Sequence, residues 1–212
     1  MRIRYAAELA DETLIAEAAA CVEQGGTIIF PTETVYGIGA APENDRGIAA
    51  VFAAKGRSVE KPLALHVADA EQARPFVAHW PDAALRAIAH FWPGPLAIIL
   101  PRAPHRFVKA AAGYETISLR CPDQTFARQL FARTGPLAAT SANRSGHPAF
   151  RGSPEDIGDL PVATLAIVAG PTLLQRESTI MDCSGELPRV LRWGAVERAA
   201  LEAVMGTVEP RL

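Results

Sequence analysis

"GGTIIFPTETVYGIGA", Gly25 to Ala40, is the stretch on which the reading of this chain turns. Thr27, Ile28, Ile29 and Phe30 are β-branched or aromatic and follow two glycines, which predicts a short buried strand. An ordinary polar turn does not follow. The chain runs into Pro31, then Thr32, Glu33 and Thr34, then Val35, Tyr36 and two glycines at 37 and 39. Two readings stand side by side. An open α/β sheet binds its ligands outside the carboxyl ends of its strands, so the segment predicts a ligand-facing loop whose backbone is small and flexible. Alternatively it is a turn that happens to be rich in threonine.

The flanking elements support an α/β chain. Asp11 is placed to cap a helix that carries Leu14, Ile15, Ala18, Cys21 and Val22 on one side and closes at Gly25-Gly26. Asn44 or Asp45 caps a second helix, with Ile48, Val51 and Phe52 on one face and an end near Lys55-Gly56. Further strands are predicted at Pro62–Ala68, in "PLAIILP" and in "TISLR" ending at Arg120. "GPLAATSAN", "TLAIVAG", "STIMDCS" and "RVLRW" add others. Helices are predicted at Glu71–Val77, Asp82–Phe91, Asp123–Thr134 and Val196–Met205. Strands interleave with helices irregularly, so the expectation is a mixed rather than a purely parallel sheet.

The whole chain, residues 1–212, is expected to form one domain: it is 49% hydrophobic and no Ser/Gly/Pro-rich linker divides it. A net charge of −2 argues against a strongly basic nucleic-acid binder, though not against a local basic patch. Cys21, Cys121 and Cys183 are scattered without metal-ligand spacing, which suits a reducing compartment. "MRIRYAAELADETL" lacks the apolar region of a secretory signal, and no run is long enough to span a bilayer. A cytoplasmic protein without membrane contact is expected.

Chemistry-bearing residues gather at strand ends. Lys55, Arg57 and Lys61 fall within seven residues at a helix end and in the loop beyond. The helix macrodipole favours Lys55 at that end, but Arg57 and Lys61 lie outside it, and such a group of cations suits phosphate. Neither a Walker P-loop nor a Gly-x-Gly-x-x-Gly after a strand is present, so any nucleotide is held another way. Ser141 and Asn143 follow a short strand, as turn residues or as ligand contacts. No Gly-x-Ser-x-Gly elbow makes Ser141 a nucleophile. His79, His90 and His105 sit in helical or proline-rich contexts, whereas His66 closes a strand. Arg120, Ser178 and Arg192 also stand at strand ends. Such a set suits anions and polar small molecules, with catalysis by positioning and electrostatics.

"PTETVYGIGA", "K-x-R…K-P-L…H-V", "S-L-R-x-P", "S-A-N-x-S-G" and "S-T-I-x-D…R-W-G" occur in that order. In these motifs, from about Leu14 to about Ala195, the chain closely resembles the YrdC-like threonylcarbamoyl-AMP synthases, in their short, single-domain form. The resemblance implies a YrdC-like twisted mixed sheet with surrounding helices and a positively lined cavity. It implies synthesis of L-threonylcarbamoyl-AMP and pyrophosphate from L-threonine, bicarbonate or CO₂, and ATP. The product would serve N6-threonylcarbamoyladenosine formation at position 37 of tRNA, through downstream threonylcarbamoyl-transfer proteins. By position, Thr34, His66, Arg120, Ser141 and Ser178 would contact threonine. Arg57, Lys61, Thr116, Asn143 and Arg192 would contact ATP, with Lys55, Arg57 and Lys61 stabilising charge during the reaction. Mg²⁺ would arrive on the triphosphate, with no protein ligand set. The glycines after the first strand would let the ligand approach closely. Arg151 departs from the pattern, since some members have a small hydroxyl residue there. The competing reading is a module that binds double-stranded RNA or tRNA by shape and phosphate contacts, without chemistry.

Overall fold

The computed structural model describes residues 1–8, 10–206 and 209–210. The elements run β1 (Arg2–Tyr5), α1 (Glu12–Glu23), β2 (Ile28–Phe30), β3 (Gly37–Ala40), α2 (Asp45–Lys55), β4 (Ala64–His66) and α3 (Ala70–Ala73). They continue with α4 (Asp82–Phe91), β5 (Leu96–Pro101), β6 (Thr116–Arg120), α5 (Thr125–Thr134), β7 (Leu137–Ser141) and β8 (Leu165–Val168). The last are β9 (Thr179–Asp182), β10 (Arg189–Arg192), α6 (Arg198–Met205) and β11 (Glu209–Pro210). The strands form one 11-stranded sheet in the order β1-β8-β2-β3-β7-β4-β6-β5-β9-β10-β11.

The sheet is mixed, as the irregular spacing predicts. The β1/β8, β2/β8, β4/β6 and β5/β9 pairs are parallel, while β2/β3, β3/β7, β4/β7 and β5/β6 are antiparallel. Alternation along the strands sends neighbours to opposite faces. Ile28 and Phe30 join Leu165, Ile167 and Leu137 under α1 and α5, where Phe126, Leu130 and Phe131 pack. Ile29, Ile38, Ala138 and Ala166 join the second core, with Ile48, Val51 and Phe52 of α2. Among the described residues no helix is long and apolar enough to cross a membrane.

Caps set the helix ends as the sequence predicts. Asp11 accepts from the backbone N–H groups of Thr13 and Leu14 to start α1, and Asn44 accepts from Gly47 to start α2. Gly56, in the left-handed region at φ 58°, ends α2 directly after Lys55. Three predicted helices are shortened, Val196–Met205 by two residues to Arg198–Met205. Glu71–Val77 is α3 followed by a single 3₁₀ turn at Arg74–Phe76, where Pro75 has no N–H to continue an α-helical ladder. The Asp123–Thr134 helix starts at Thr125, with Gln124 accepting from Ala127 as its cap.

The larger correction lies in the opening motif. Gly37–Ala40 is not a flexible loop but a fully buried strand between β2 and β7. Both glycines are required by packing, and Gly37 also borders the cavity described below. A Cβ at Gly37 would lie 2.7 Å from the Phe30 ring, and one at Gly39 would lie 2.8 Å from the Ala139 Cβ. Only residues 31–36 form the turn. β1 was not foreseen either: it pairs in parallel with β8 at the sheet edge, and its alternating "RIRY" carries little apolar signal.

Candidate active site

Parallel pairing of β4 with β6 puts His66 and Arg120 in register at the carboxyl ends of both strands. β7 runs antiparallel to β4, with Leu137 opposite His66, so Ser141 closes the other end of one sheet face that alternate residues of these strands share. A cavity of about 640 Å³ opens there. Arg57, Lys61, His66, Arg120, Ser141, Ser178 and Arg192 all line it. The sequence therefore brings together seven of the predicted site residues, drawn from segments over 130 positions apart.

Arg120 is fixed from below. Its Nη2 donates to Glu33 Oε2 at 2.8 Å and to Thr34 Oγ1 at 2.7 Å. Its Nε donates to the Gly94 carbonyl at 3.5 Å. Nη1 has no hydrogen-bond partner among the described residues. The PTET turn is thus the cradle of this guanidinium. Thr34 itself is wholly buried and does not line the cavity, its hydroxyl meeting Arg120 instead; Thr32 is the threonine that lines it. Thr32 Oγ1 donates to the Val35 carbonyl at 2.6 Å and accepts from the Thr34 N–H at 3.2 Å, closing the turn.

His66 is buried and neutral. Desolvation, then the Arg120 charge, pushes its pKa down to about 3. Nδ1 lies 3.2 Å from the Ala64 carbonyl, which can only accept. The hydrogen is therefore on Nδ1, and Nε2 is left as an acceptor.

Lys55 is not a cavity residue. Its ammonium donates to the Ser141 carbonyl, to the Asn143 carbonyl at 2.8 Å and to Asn143 Oδ1 at 2.8 Å. All three N–H bonds are used in holding the Ser-Ala-Asn turn to the end of α2. Burial first, then the charge of Arg57, lowers its pKa to about 8. Asn143 is also committed internally: Oδ1 accepts from Ser141 Oγ at 2.6 Å, and Nδ2 donates to the Arg144 and His147 carbonyls at 3.0 and 2.6 Å. It shapes the turn and does not line the cavity. Thr116 lies at the far end of β6 from Arg120, opposite Pro101, and is likewise outside the lining. Arg151 is exposed and outside it too.

On the other wall Arg57 donates through Nε to the Lys61 carbonyl at 3.2 Å and through Nη2 to the Pro62 carbonyl at 3.1 Å. Burial, then the nearby Arg192, lowers its pKa. Arg192 donates to the Ser178 carbonyl from both Nε and Nη2, at 3.2 and 2.9 Å. Sequence reasoning missed Ser118, Thr140 and Glu177, which line the cavity. Ser118 was available from period-two spacing, two residues before Arg120 on the same strand face.

A family model for Sua5/YciO/YrdC proteins, described as "Telomere recombination", matches residues 20–194. A Bacillus subtilis (strain 168) protein named threonylcarbamoyl-AMP synthase is 38% identical, over 92% of this chain and 57% of its own length. A Mycobacterium leprae (strain TN) protein named putative threonylcarbamoyl-AMP synthase is 36% identical, over 93% of this chain and 90% of its own. The crystal structure of Pyrococcus abyssi Sua5 complexed with L-threonine superposes with a TM-score of 0.92 at 32% identity, covering 100% of this chain and 63% of that one. The chain thus spans less than two thirds of the Bacillus and Pyrococcus proteins. E. coli YciO shares the fold, at a TM-score of 0.80 and 22% identity over 95% of this chain and 100% of that one. The sheet order, the motif-built cavity and the match over residues 20–194 agree, and this chain belongs to the Sua5/YciO/YrdC family.

Proposed function

We propose that this chain is a threonylcarbamoyl-AMP synthase. It would condense L-threonine with bicarbonate or CO₂ and adenylate the carbamate with ATP, releasing pyrophosphate for use of the product by downstream tRNA-modifying proteins. The observation that carries this reading is the lining of the main cavity. Arg57, Lys61, Arg120 and Arg192 converge on a space of about 640 Å³ that also presents Ser118, Ser141 and Ser178 hydroxyls. That volume lies within the range of about 300–1,000 Å³ for small-molecule sites. Proteins named for this activity are 36–38% identical to the chain, and one solved with L-threonine shares its fold.

The residues divide by chemistry. Arg120 offers its uncommitted Nη1 to the threonine carboxylate. Neutral His66, through Nε2, accepts from the threonine hydroxyl or amine. The amine loses a proton and adds to CO₂, and a carbamate oxygen then attacks the α-phosphorus, with pyrophosphate as the leaving group. Arg57, Lys61 and Arg192 face the charge that builds on the phosphates. Lys55 and Asn143 act at one remove, by holding Ser141 in place. Mg²⁺ bound to the triphosphate would add Lewis-acid neutralisation of the phosphate oxygens. We assign the ion to the nucleotide, since Mg²⁺ is commonly held through substrate phosphates and water.

Mass spectrometry of the chain incubated with ATP, Mg²⁺, bicarbonate and L-threonine tests the reading. A threonylcarbamoyl-AMP ion that needs all four components is expected. Pyrophosphate release that is independent of threonine would overturn it.

A further inference from the structure

Among the described residues that line the cavity, Glu177 is the sole carboxylate; the other charged side chains there are cations. It is not loosely placed. Its carbonyl accepts from the Ala195 N–H at 2.8 Å, and Gly194 approaches so closely that a Cβ there would lie 2.2 Å from that carbonyl oxygen. This contact presses residues 177 and 178 against the end of β10, beside Arg192. The carboxylate then meets Arg192: Nη1 to Oε2 is 2.8 Å. Nε and Nη2 of the same guanidinium go to Ser178, through its carbonyl and, at 3.3 Å, its hydroxyl. Every nitrogen of the Arg192 fork is therefore engaged by residues 177 and 178. Of the five N–H donors of the fork only one, on Nη1, has no partner among the described residues, so a phosphate oxygen that seeks Arg192 enters beside the Glu177 carboxylate. Both side chains are a little over 40% exposed, so the pair can open without unpacking a core. The neighbouring Arg176 is paired with Glu197 at 2.7 Å and does not hold Glu177.

We propose that Glu177 is an internal anion that occupies Arg192 while the phosphate site is empty, gives it up to an incoming phosphate, and returns to it as pyrophosphate leaves. The proposal rests on the assignment of Arg192 to the phosphate side of the site. Without such a carboxylate, a pocket holding Arg57, Lys61 and Arg192 would hold the multiply charged pyrophosphate more tightly. With it, the phosphate oxygen that leaves Arg192 is replaced by a carboxylate oxygen already tethered beside the guanidinium, so product release does not leave Arg192 bare.

Pyrophosphate binding to the full chain, by calorimetry without Mg²⁺, tests this in wild type, Glu177→Gln, Arg192→Ala and the double variant, with thermal melts to verify folding. Glu177→Gln should bind pyrophosphate about two- to fivefold more tightly, the size expected for a half-exposed pair. The gain should shrink as salt screens it. In the Arg192→Ala background the gain should vanish, because the carboxylate acts through that guanidinium. Unchanged or weaker binding by Glu177→Gln overturns the proposal, as does a gain that persists without Arg192. Absence of pyrophosphate binding in every variant, wild type included, would instead remove the anion site itself, and with it the functional assignment on which the proposal stands.

Discussion

Arg120 and Glu33, 87 positions apart, form an ion pair of 2.8 Å with side chains only 6% and 4% exposed. The carboxylate is one-sided: Oε2 takes the guanidinium, and Oε1 has no hydrogen-bond partner among the described residues. Burying both charges is expensive, and the pair's local return is orientation. It fixes the plane of Arg120, together with Thr34, so that the remaining Nη1 is left for a ligand. Breaking such a pair by removing one partner costs about 3–5 kcal/mol, because a buried charge is left alone. Glu33→Gln should approach that loss in urea unfolding. Thr34→Val, which removes a neutral partner, should cost about 1–2 kcal/mol and raise KM for threonine more than it lowers kcat. A Glu33→Gln protein as stable as wild type would show that the pair does not hold the arginine.

His66 makes a pH prediction with a definite sign. Its folded-state pKa of about 3 lies below the ordinary 6.5, so below pH 6.5 the unfolded chain takes a proton that the folded chain refuses. Stability contributed by the neutral ring is present above pH 6.5, declines as pH falls, and levels off near 3. By pH 4 the loss is on the order of 3 kcal/mol. Urea unfolding of wild type and His66→Gln between pH 7 and 4 should therefore give diverging curves, with wild type falling faster. Parallel curves would mean that the ring protonates freely in the fold.

Gly39 tests the corrected reading of the opening motif. If its role were flexibility beside a ligand, Gly39→Ala would spare the fold and affect binding. Packed against Ala139 at 2.8 Å and the Ala138 carbonyl at 2.9 Å, the added Cβ must push β3 from β7. Overpacking of this kind costs about 1–3 kcal/mol. A lowered melting temperature is expected before any effect on ligand affinity is considered, and an unchanged one would restore the loop interpretation.

How much of this was legible in the sequence depended on what each signal encodes. Capping and periodicity are local, so α1, α2 and α4 could be read nearly to the residue from Asp11, Asn44 and the spacing of their apolar positions. β3 could not, because its glycines answer to Phe30 and Ala139, and nothing within four residues of Gly39 announces Ala139. The site divides the same way. Cations and hydroxyls at strand ends pointed to the cavity, and His66, Arg120 and Ser141 line it. Lys55, Thr34 and Asn143 carry the same motifs but face inward. A motif records that a side chain is needed, not whether it touches the ligand or the residue that does. Glu177 was overlooked because a single acid before Ser178 has no pattern of its own.

Arg57 is the clearest test of the phosphate side. Its Nε and Nη2 are spent on the Lys61 and Pro62 carbonyls, which orient the fork and keep the Lys61 loop closed. Lysine at this position retains a charge but can neither hold both carbonyls nor present a planar edge. Arg57→Lys should weaken ATP binding nearly as much as Arg57→Ala, with little change in melting temperature. ATP affinity restored by lysine would show that charge alone suffices there.

The proposed choice of threonine follows from the acceptor at His66 and the hydroxyls around it. A buried Nε2 with no hydrogen of its own is satisfied by a donor, and the substrate hydroxyl is one. A site that hydrogen-bonds a hydroxyl rejects the analogue without it far more strongly than the analogue lacking a methyl, whose loss is worth about 1–3 kcal/mol. Serine keeps the hydroxyl and loses the methyl. 2-Aminobutyrate keeps the methyl and leaves the acceptor unpaired. Both should fall below threonine in kcat/KM, measured by pyrophosphate release at saturating ATP and bicarbonate, with serine the better of the two. His66→Phe removes the acceptor while keeping an aromatic ring against Phe30 and Phe131, which now flank the imidazole edge-on at 5.9 and 6.2 Å. In that variant the preference for serine over 2-aminobutyrate should narrow. If 2-aminobutyrate outperforms serine in wild type, the pocket selects shape, and His66 does not read the hydroxyl.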